Sequence, residues 1–188
     1  MTHNFDGARR GFLKYGFATM AATAALCSTS APALAALPRL KGIRSLAFHN
    51  LHTDERVRID YWRDGQYDNA AYAKFNHILR DHYSGDIRPM DPRLMDLLHD
   101  IQTRVENDRP IEIISGYRSP KTNMMLASYS DGVAKHSYHT KGMAVDIRLN
   151  GTPLSKLYHT AEDMRRGGAG FYPDSQFVHV DVGPVRRW

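Results

Sequence analysis

Three side chains able to bind a first-row metal stand out in the C-terminal half of the chain. His139 and Asp146 lie seven residues apart in HSYHTKGMAVD, and His179 sits within HVD. The first two are a nitrogen and an oxygen donor. They are separated by a loop that turns at Gly142 and enters the apolar run Met143, Ala144, Val145. His179 lies between Val178 and Val180, in a second short apolar run. If the two runs are neighbouring strands, three ligands converge without a fourth from the protein. That is the ligand count of a catalytic zinc site, which keeps one position open for water. The spacing alone is weak evidence, because a His and an Asp seven apart recur by chance. A His2Asp set also admits other divalent ions.

Other chemistry is scarce. The chain has no HExxH, GxSxG, P-loop or GxGxxG pattern. Its one cysteine, Cys27, lies near the N-terminus, so residues 36–188 offer no thiol nucleophile, disulfide framework or cysteine zinc finger. Arg118, in SGYRSP, is placed at the mouth of a strand-to-helix turn. There it presents a planar bidentate donor to a carboxylate, or it pairs with a neighbouring acid and fixes the loop. The residues by themselves favour neither reading. His52 reads as a surface histidine, since no second donor accompanies it at ligand spacing.

Several elements must position these residues. Ile43 to Phe48 and Val57 to Trp62 have strand length, and the intervening NLHTDE predicts an antiparallel hairpin. A helix begins near Asp68 and carries Tyr72, Phe75, Leu79 and His82 on one face. On that helix His77 and His82 point apart, which argues against joint metal binding. Asp91 and Pro92 read as N-cap and first helical position of the main core helix, with Leu94, Leu97, Leu98, Ile101 and Val105 at helical spacing. Pro110 to Ser115 is β-branched and reads as a buried strand ending at Gly116, where Ser119 and Pro120 start another helix. Residues 128–141 form a polar loop that delivers His139. Met143 to Leu149 is a strand on which Asp146 faces the same way as Ala144 and Arg148. Thr152 and Pro153 cap a helix carrying Leu154, Leu157, Ala161 and Met164, closed by Gly167 and Gly168. A last strand pair, Gly170 to Tyr172 and Phe177 to Val182, turns around Pro173 and Asp174. The expectation is an α+β domain over residues 36–188, an antiparallel sheet with helices packed against it.

Residues 1–35 read as an export segment. Arg9 and Arg10 precede Phe12, Leu13 and Lys14, an uncharged segment follows from Tyr15 to Leu26, and Ala33-Leu34-Ala35 is a small-x-small cleavage site. This is a twin-arginine signal, handled by the twin-arginine translocase and directing the protein to the periplasm. An uncleaved signal acting as a membrane anchor is the alternative, although the apolar segment is shorter than the roughly 20 residues a span needs. Lipidation at Cys27 is disfavoured by the bulky Leu26 before it. Of the formal charge of +5, Arg9, Arg10 and Lys14 against Asp6 supply two, leaving +3 for residues 36–188. That is too mild for a nucleic-acid partner, and it suits either an anionic polymer outside the cytoplasm or a plain solvated surface.

The combination of SGYRS, SYHTKGMAVD (which fits SxHxxGxAxD) and FVHVDVGPVRRW resembles the metallopeptidases that comprise zinc D-Ala-D-Ala carboxypeptidases and murein endopeptidases. It is most similar to their twin-arginine-exported murein endopeptidase subgroup. The resemblance implies a hedgehog/D-Ala-D-Ala-peptidase-like fold and a Zn2+ ion held by His139, Asp146 and His179. It further implies that Arg118 acts in catalysis and substrate binding, and that Ser137 lines the substrate cleft. The implied substrate is the peptide cross-link between peptidoglycan stem peptides, including 3-3 cross-links. In the mechanism this implies, His139, Asp146 and His179 would hold a zinc ion able to lower the pKa of a bound water to about 7, and Arg118 would help stabilise the oxyanion formed on the peptide carbonyl.

One role is poorly filled. Many members of this group carry a Glu or Asp three residues before the last zinc histidine, and some a histidine two residues before it. Here those positions are Gln176 and Phe177. Asp181, two residues beyond His179 and so on the same strand face, is either the general base or the acceptor that orients an imidazole. His136 is a further acid/base candidate. Two rivals to an endopeptidase follow: a carboxypeptidase trimming a terminal D-alanine, and a zinc-stabilised wall-binding module without hydrolysis.

Overall fold

The computed structural model describes residues 41–188 apart from Asp131, all within one unit of the chain. The twin-arginine signal and cleavage site expected in residues 1–35 lie outside the described residues. No described helix is long and apolar enough to cross a membrane.

The described residues build one eight-stranded sheet and four α-helices. β1 (Ile43–Asn50) and β2 (Arg56–Arg63) form the hairpin expected around NLHTDE, pairing antiparallel. β3 (Gln66–Tyr67) adds a short edge to β2. α1 (Asn69–Ile78) starts at Asp68, whose carboxylate accepts from the amides of Ala70 and Ala71. It stops earlier than the apolar spacing suggested. Leu79 takes the C-cap position, so His82 lies beyond the helix rather than on its face.

α2 (Pro92–Val105) has the predicted Asp91 cap and Pro92 start, and all five predicted core residues are buried with Met95. Each such side chain, fully buried, contributes about 1.5–3 kcal/mol. β4 (Ile111–Ser115) follows, then α3 (Pro120–Tyr129), whose Ser119 cap accepts from the Thr122 amide at 3.2 Å. A single 3-10 turn, Tyr138–Lys141, leads into β5 (Ala144–Leu149).

α4 (Leu154–Met164) differs from expectation at both ends. Its N-cap position is Pro153 without a side-chain cap bond, because the Thr152 hydroxyl is engaged by Asn107 Nδ2 at 2.8 Å instead. Its C-cap is Arg165, left-handed at φ 51°, and Gly168 already belongs to β6 (Gly168–Tyr172). β7 (Phe177–Asp181) and β8 (Arg186–Arg187), a strand the sequence did not announce, complete the sheet.

Strand order is β3-β2-β1-β4-β5-β7-β6-β8. Pairing is antiparallel except at β1 with β4 and at β6 with β8. Successive side chains on a strand point to opposite faces, and the sequence uses this throughout the sheet's second half. Val145, Ile147, Leu149, Ala169, Val178 and Val180 belong to the hydrophobic core with residues of α1, α2 and α4. The alternate set, Ala144, Asp146, His179 and Asp181, therefore stands on the other face.

Candidate metal centre

Register brings the donors together. β5 and β7 pair so that Asp146 lies directly opposite His179, and Ala144 opposite Asp181. Directly opposed residues in an antiparallel pair share a face, so one cross-strand pair supplies two of the three predicted ligands. The third arrives from the 3-10 turn. Ser137 caps that turn, its hydroxyl accepting from the His139 amide at 3.3 Å. Gly142 ends it at φ 70°, where a Cβ would meet the Pro89 carbonyl oxygen at 2.5 Å.

His139 Nε2, Asp146 Oδ1 and His179 Nδ1 converge, with separations of 3.1 Å, 3.2 Å and 2.8 Å. All three residues are buried, and together they form a set that could hold a metal ion. Their other polar atoms are bonded away from the convergence point. His139 Nδ1 lies 2.6 Å from the Gly116 carbonyl, which only accepts, so Nδ1 carries the proton and Nε2 presents a lone pair. His179 Nε2 lies 2.9 Å from Asp181 Oδ2 and donates to it, so the neutral ring presents its lone pair at Nδ1. Asp146 Oδ2 is taken by Arg118 Nη2. Three lone-pair atoms thus face one another in a buried space, an arrangement that calls for a cation between them. Tetrahedral zinc with bonds of about 2.0–2.1 Å separates its ligand atoms by about 3.3 Å, so the donor set fits such an ion.

The electrostatics follow from these partners. Burial pushes His139 below its ordinary value, and Arg118 adds to the depression while Asp146 opposes it. Burial also acts to lower His179, but carboxylates on both ring nitrogens outweigh it and raise the group. Asp146 is held well below the usual carboxylate range despite its burial, by the two imidazoles. Asp181 is likewise depressed against its burial, by His179, Arg186 and the Gly183 amide.

The SGYRS turn is the other half of the frame. A Cβ at Gly116 would meet Leu79 O at 2.3 Å, so only glycine lets this turn close on the end of α1. The Tyr117 amide donates to Leu79 O at 2.7 Å and the Ser119 amide to Asp81 Oδ2 at 2.9 Å. Arg118 donates through Nε to Ser115 Oγ at 2.7 Å and through Nη2 to Asp146, and its backbone amide reaches His139 O at 3.3 Å. Arg118 therefore pairs with a predicted ligand rather than with an acid of its own loop. Its Nη1 has no hydrogen bond among the described residues.

The centre lies in a cleft of about 470 Å³, which Arg118, Ser137, His136, Tyr172 and Trp188 also line. His136 is exposed on its lip. Gln176 is exposed in the β6–β7 turn at φ 56°, with its amide nitrogen turned back to Pro173 O at 2.5 Å. Asp181 is fully buried and heavily committed. Oδ1 accepts from Gly168 N at 3.1 Å, Gly183 N at 2.8 Å and Arg186 Nη1 at 3.0 Å. Oδ2 accepts from His179 and from Arg186 Nη2 at 2.6 Å.

Sequence reasoning missed three contributors. His52, exposed as expected, is also a cleft residue, stacked on His82 at 3.7 Å between ring centroids. Asp81 caps a local turn through the Tyr83 and Ser84 amides, but its bond to the SGYRS turn reaches Ser119, 38 residues on. Arg186 lies within FVHVDVGPVRRW, where its spacing from Asp181 does not by itself announce the pair.

Residues 39–188 match the family described as peptidoglycan L,D-endopeptidase MepK. The chain is similar to the protein of that name from Escherichia coli (strain K12), 42% identical over 184 residues, 98% of either chain. The Shigella flexneri protein of the same name is similar to the same extent. A probable peptidoglycan L,D-endopeptidase MepK from Haemophilus influenzae is 43% identical over 146 residues, 77% of this chain and 78% of that one. With a matching family over four-fifths of its length and relatives at this identity, the chain belongs to the peptidoglycan L,D-endopeptidase MepK family of peptidases.

Proposed function

We propose that this protein is a zinc endopeptidase of the cell envelope that hydrolyses peptide cross-links of peptidoglycan, with 3-3 cross-links as its target. The observation that carries the reading is the convergence of His139 Nε2, Asp146 Oδ1 and His179 Nδ1, each with its second polar atom bonded away, in a cleft of a chain from this family. The relatives' printed name, an L,D-endopeptidase acting on peptidoglycan, supports the bond type. The twin-arginine pattern in residues 1–35 supports export to the periplasm, with residues 36–188 as the working domain.

In this reading His139, Asp146 and His179 hold the ion. Bound there, zinc supplies a Lewis acid that polarises the scissile carbonyl and makes water nucleophilic near neutral pH. Arg118 fixes Asp146 through Nη2, and as a cation lining the cleft with Nη1 uncommitted among the described residues it would stabilise negative charge developing on the carbonyl oxygen. Ser137 holds the turn that presents His139 and forms part of the cleft wall. Asp181 orients His179, because its lone pairs are already taken by five donors and none remains for a proton from water. The proton acceptor is assigned to His136, which lines the cleft without a hydrogen bond to a described residue.

The test is digestion of purified sacculi by the metal-loaded protein, with and without chelator, read as muropeptides. Loss of cross-linked dimers that stops with chelator and in His139→Ala is expected. An unchanged profile from zinc-loaded wild type would overturn the proposal. Activity abolished by amidating the substrate's C-terminus would instead identify a carboxypeptidase gripping a free carboxylate.

A further inference from the structure

Asp181 is itself held in place, and what holds it is a side chain to which the proposed mechanism gives no part. Arg186 Nη1 and Nη2 grip both oxygens of the fully buried Asp181 carboxylate, at 3.0 Å and 2.6 Å. Nη1 also donates to Pro184 O at 3.1 Å. The guanidinium lies between two aromatic rings, 4.7 Å from the centroid of Tyr138 and 5.1 Å from that of Trp188. Tyr138 belongs to the turn that carries His139, and the Trp188 ring is 5.3 Å from that of His179. One cation thus joins the carboxylate behind one ligand to the rings beside two of them.

Three glycines clear the space for this clamp. A Cβ at Gly168 would come within 2.8 Å of Arg186 Nη1, one at Gly170 within 2.6 Å of the Trp188 indole, and one at Gly183 within 2.5 Å of the Tyr138 ring. Gly168 and Gly170 are alternate residues of β6, so both face the site side, and Gly170 lies directly opposite His179. β8 fixes the depth of the clamp by pairing parallel to β6, Gly168 with Arg186, and the Trp188 amide donates to Ala169 O at 3.2 Å. The indole N–H is anchored on Tyr172 OH at 2.7 Å. A bidentate arginine–carboxylate pair fixes direction as well as distance, and stacking on two rings removes much of the guanidinium's freedom.

We propose that Arg186, clamped by Tyr138 and Trp188, is a positioning residue of the metal centre: it fixes Asp181 in the orientation that presents His179 Nδ1 to the ion, and so sets how tightly the ion is held. The proposal rests on the metal-centre reading above. Its chemistry is that of outer partners that fix a ligand's tautomer and ring direction, whose loss lowers metal affinity about 10- to 100-fold. Arg186 acts through one intermediary, so the lower end of that range applies.

The experiment measures zinc affinity by chelator competition on wild type, His179→Ala, Arg186→Ala and Arg186→Lys. Each protein is confirmed as folded by circular dichroism without metal. Tight binding by wild type that is lost in His179→Ala supports the metal centre, and wild type that binds no zinc overturns the centre and the proposal together. Given the centre, Arg186→Ala should bind zinc about tenfold more weakly. Arg186→Lys, which keeps the charge but not the two-point grip, should recover only part of the loss, and it carries the test by itself if the alanine variant does not fold. The turnover lost in either variant should return at saturating zinc, since affinity is what has been damaged. Zinc affinity within about twofold of wild type in the folded Arg186 variants, or a rate deficit that saturating zinc does not repair, would overturn the proposal and leave the metal centre standing.

Discussion

Asp181→Asn separates the two roles that one carboxylate can play beside His179. The substitution is nearly isosteric, so its consequences come from hydrogen bonding. Five donors point at the two oxygens of Asp181, and an amide can face them with only one oxygen. Placing the NH2 at the Oδ1 position opposes the amides of Gly168 and Gly183 and one arginine nitrogen, at about 1–3 kcal/mol for each buried donor left unmet. Placing it at the Oδ2 position opposes His179 Nε2 and one arginine nitrogen, and His179 relieves this by moving its proton to Nδ1. The second arrangement is cheaper. It puts a proton on the atom that should face the ion, so binding must reverse the tautomer against an N–H pointing at an N–H. At about 1–3 kcal/mol that weakens zinc binding by about 5- to 150-fold. Chelator competition measures the affinity, and turnover of cross-linked muropeptides at saturating zinc measures what remains of the chemistry. An orienting Asp181 predicts weakened binding and a rate largely restored by excess zinc. Wild-type affinity with turnover still down about 10²-fold or more at saturating zinc is the signature of a lost proton acceptor, and it would refute the orienting role.

Three further outcomes follow from particular contacts. Gly116→Ala sets a Cβ against the Leu79 backbone, which cannot swing aside as a side chain could. Overpacking of about 3 kcal/mol lowers the thermal midpoint by about 6–12 °C, and chelator competition should show weaker zinc binding as the Gly116 carbonyl shifts from His139. Asp81, 1% exposed, is held at about 2 rather than 3.8 because hydrogen bonds from Thr122, Ser119 and Tyr83 outweigh its burial. A depressed folded pKa contributes stability that is present above the unfolded value and lost as pH falls toward about 2, here about 2 kcal/mol. Urea denaturation of Asp81→Asn should show that loss at pH 7 and a flatter profile between about pH 4 and 2, and a wild-type pH dependence in the variant would count against the assignment. His136→Ala should leave zinc affinity unchanged and lower turnover at saturating zinc by about 10², and full activity in this exposed-site variant would remove His136 as proton acceptor.

Much of the frame was legible because it rests on local rules. Apolar residues at helical spacing located α2 and its buried face, and Asp91 with Pro92 located its start, since a cap and a missing N–H act within one turn. Alternation in MAVDIRL and FVHVD set Val145, Ile147, Val178 and Val180 against Asp146, His179 and Asp181, because a strand's two faces follow from backbone geometry alone. Where local rules competed, the reading slipped. The apolar spacing carried α1 on through Leu79 to His82, but the chain turns at Leu79, whose carbonyl receives the Tyr117 amide from a distant loop.

By itself the sequence determined which atoms were available to bind a metal: two imidazoles and a carboxylate, with an arginine at a glycine turn. Only the tertiary structure decided how they are used. The pairing of Asp146 with His179, the Gly116 carbonyl on His139, the Asp146 partner of Arg118 and the grip of Arg186 on Asp181 all depend on strand register and close backbone approach. Register and approach are fixed by packing between segments far apart in the chain, and no local periodicity encodes them. The same packing surrounds the Asp181 carboxylate with five hydrogen-bond donors, an environment that the HVD pattern alone does not announce.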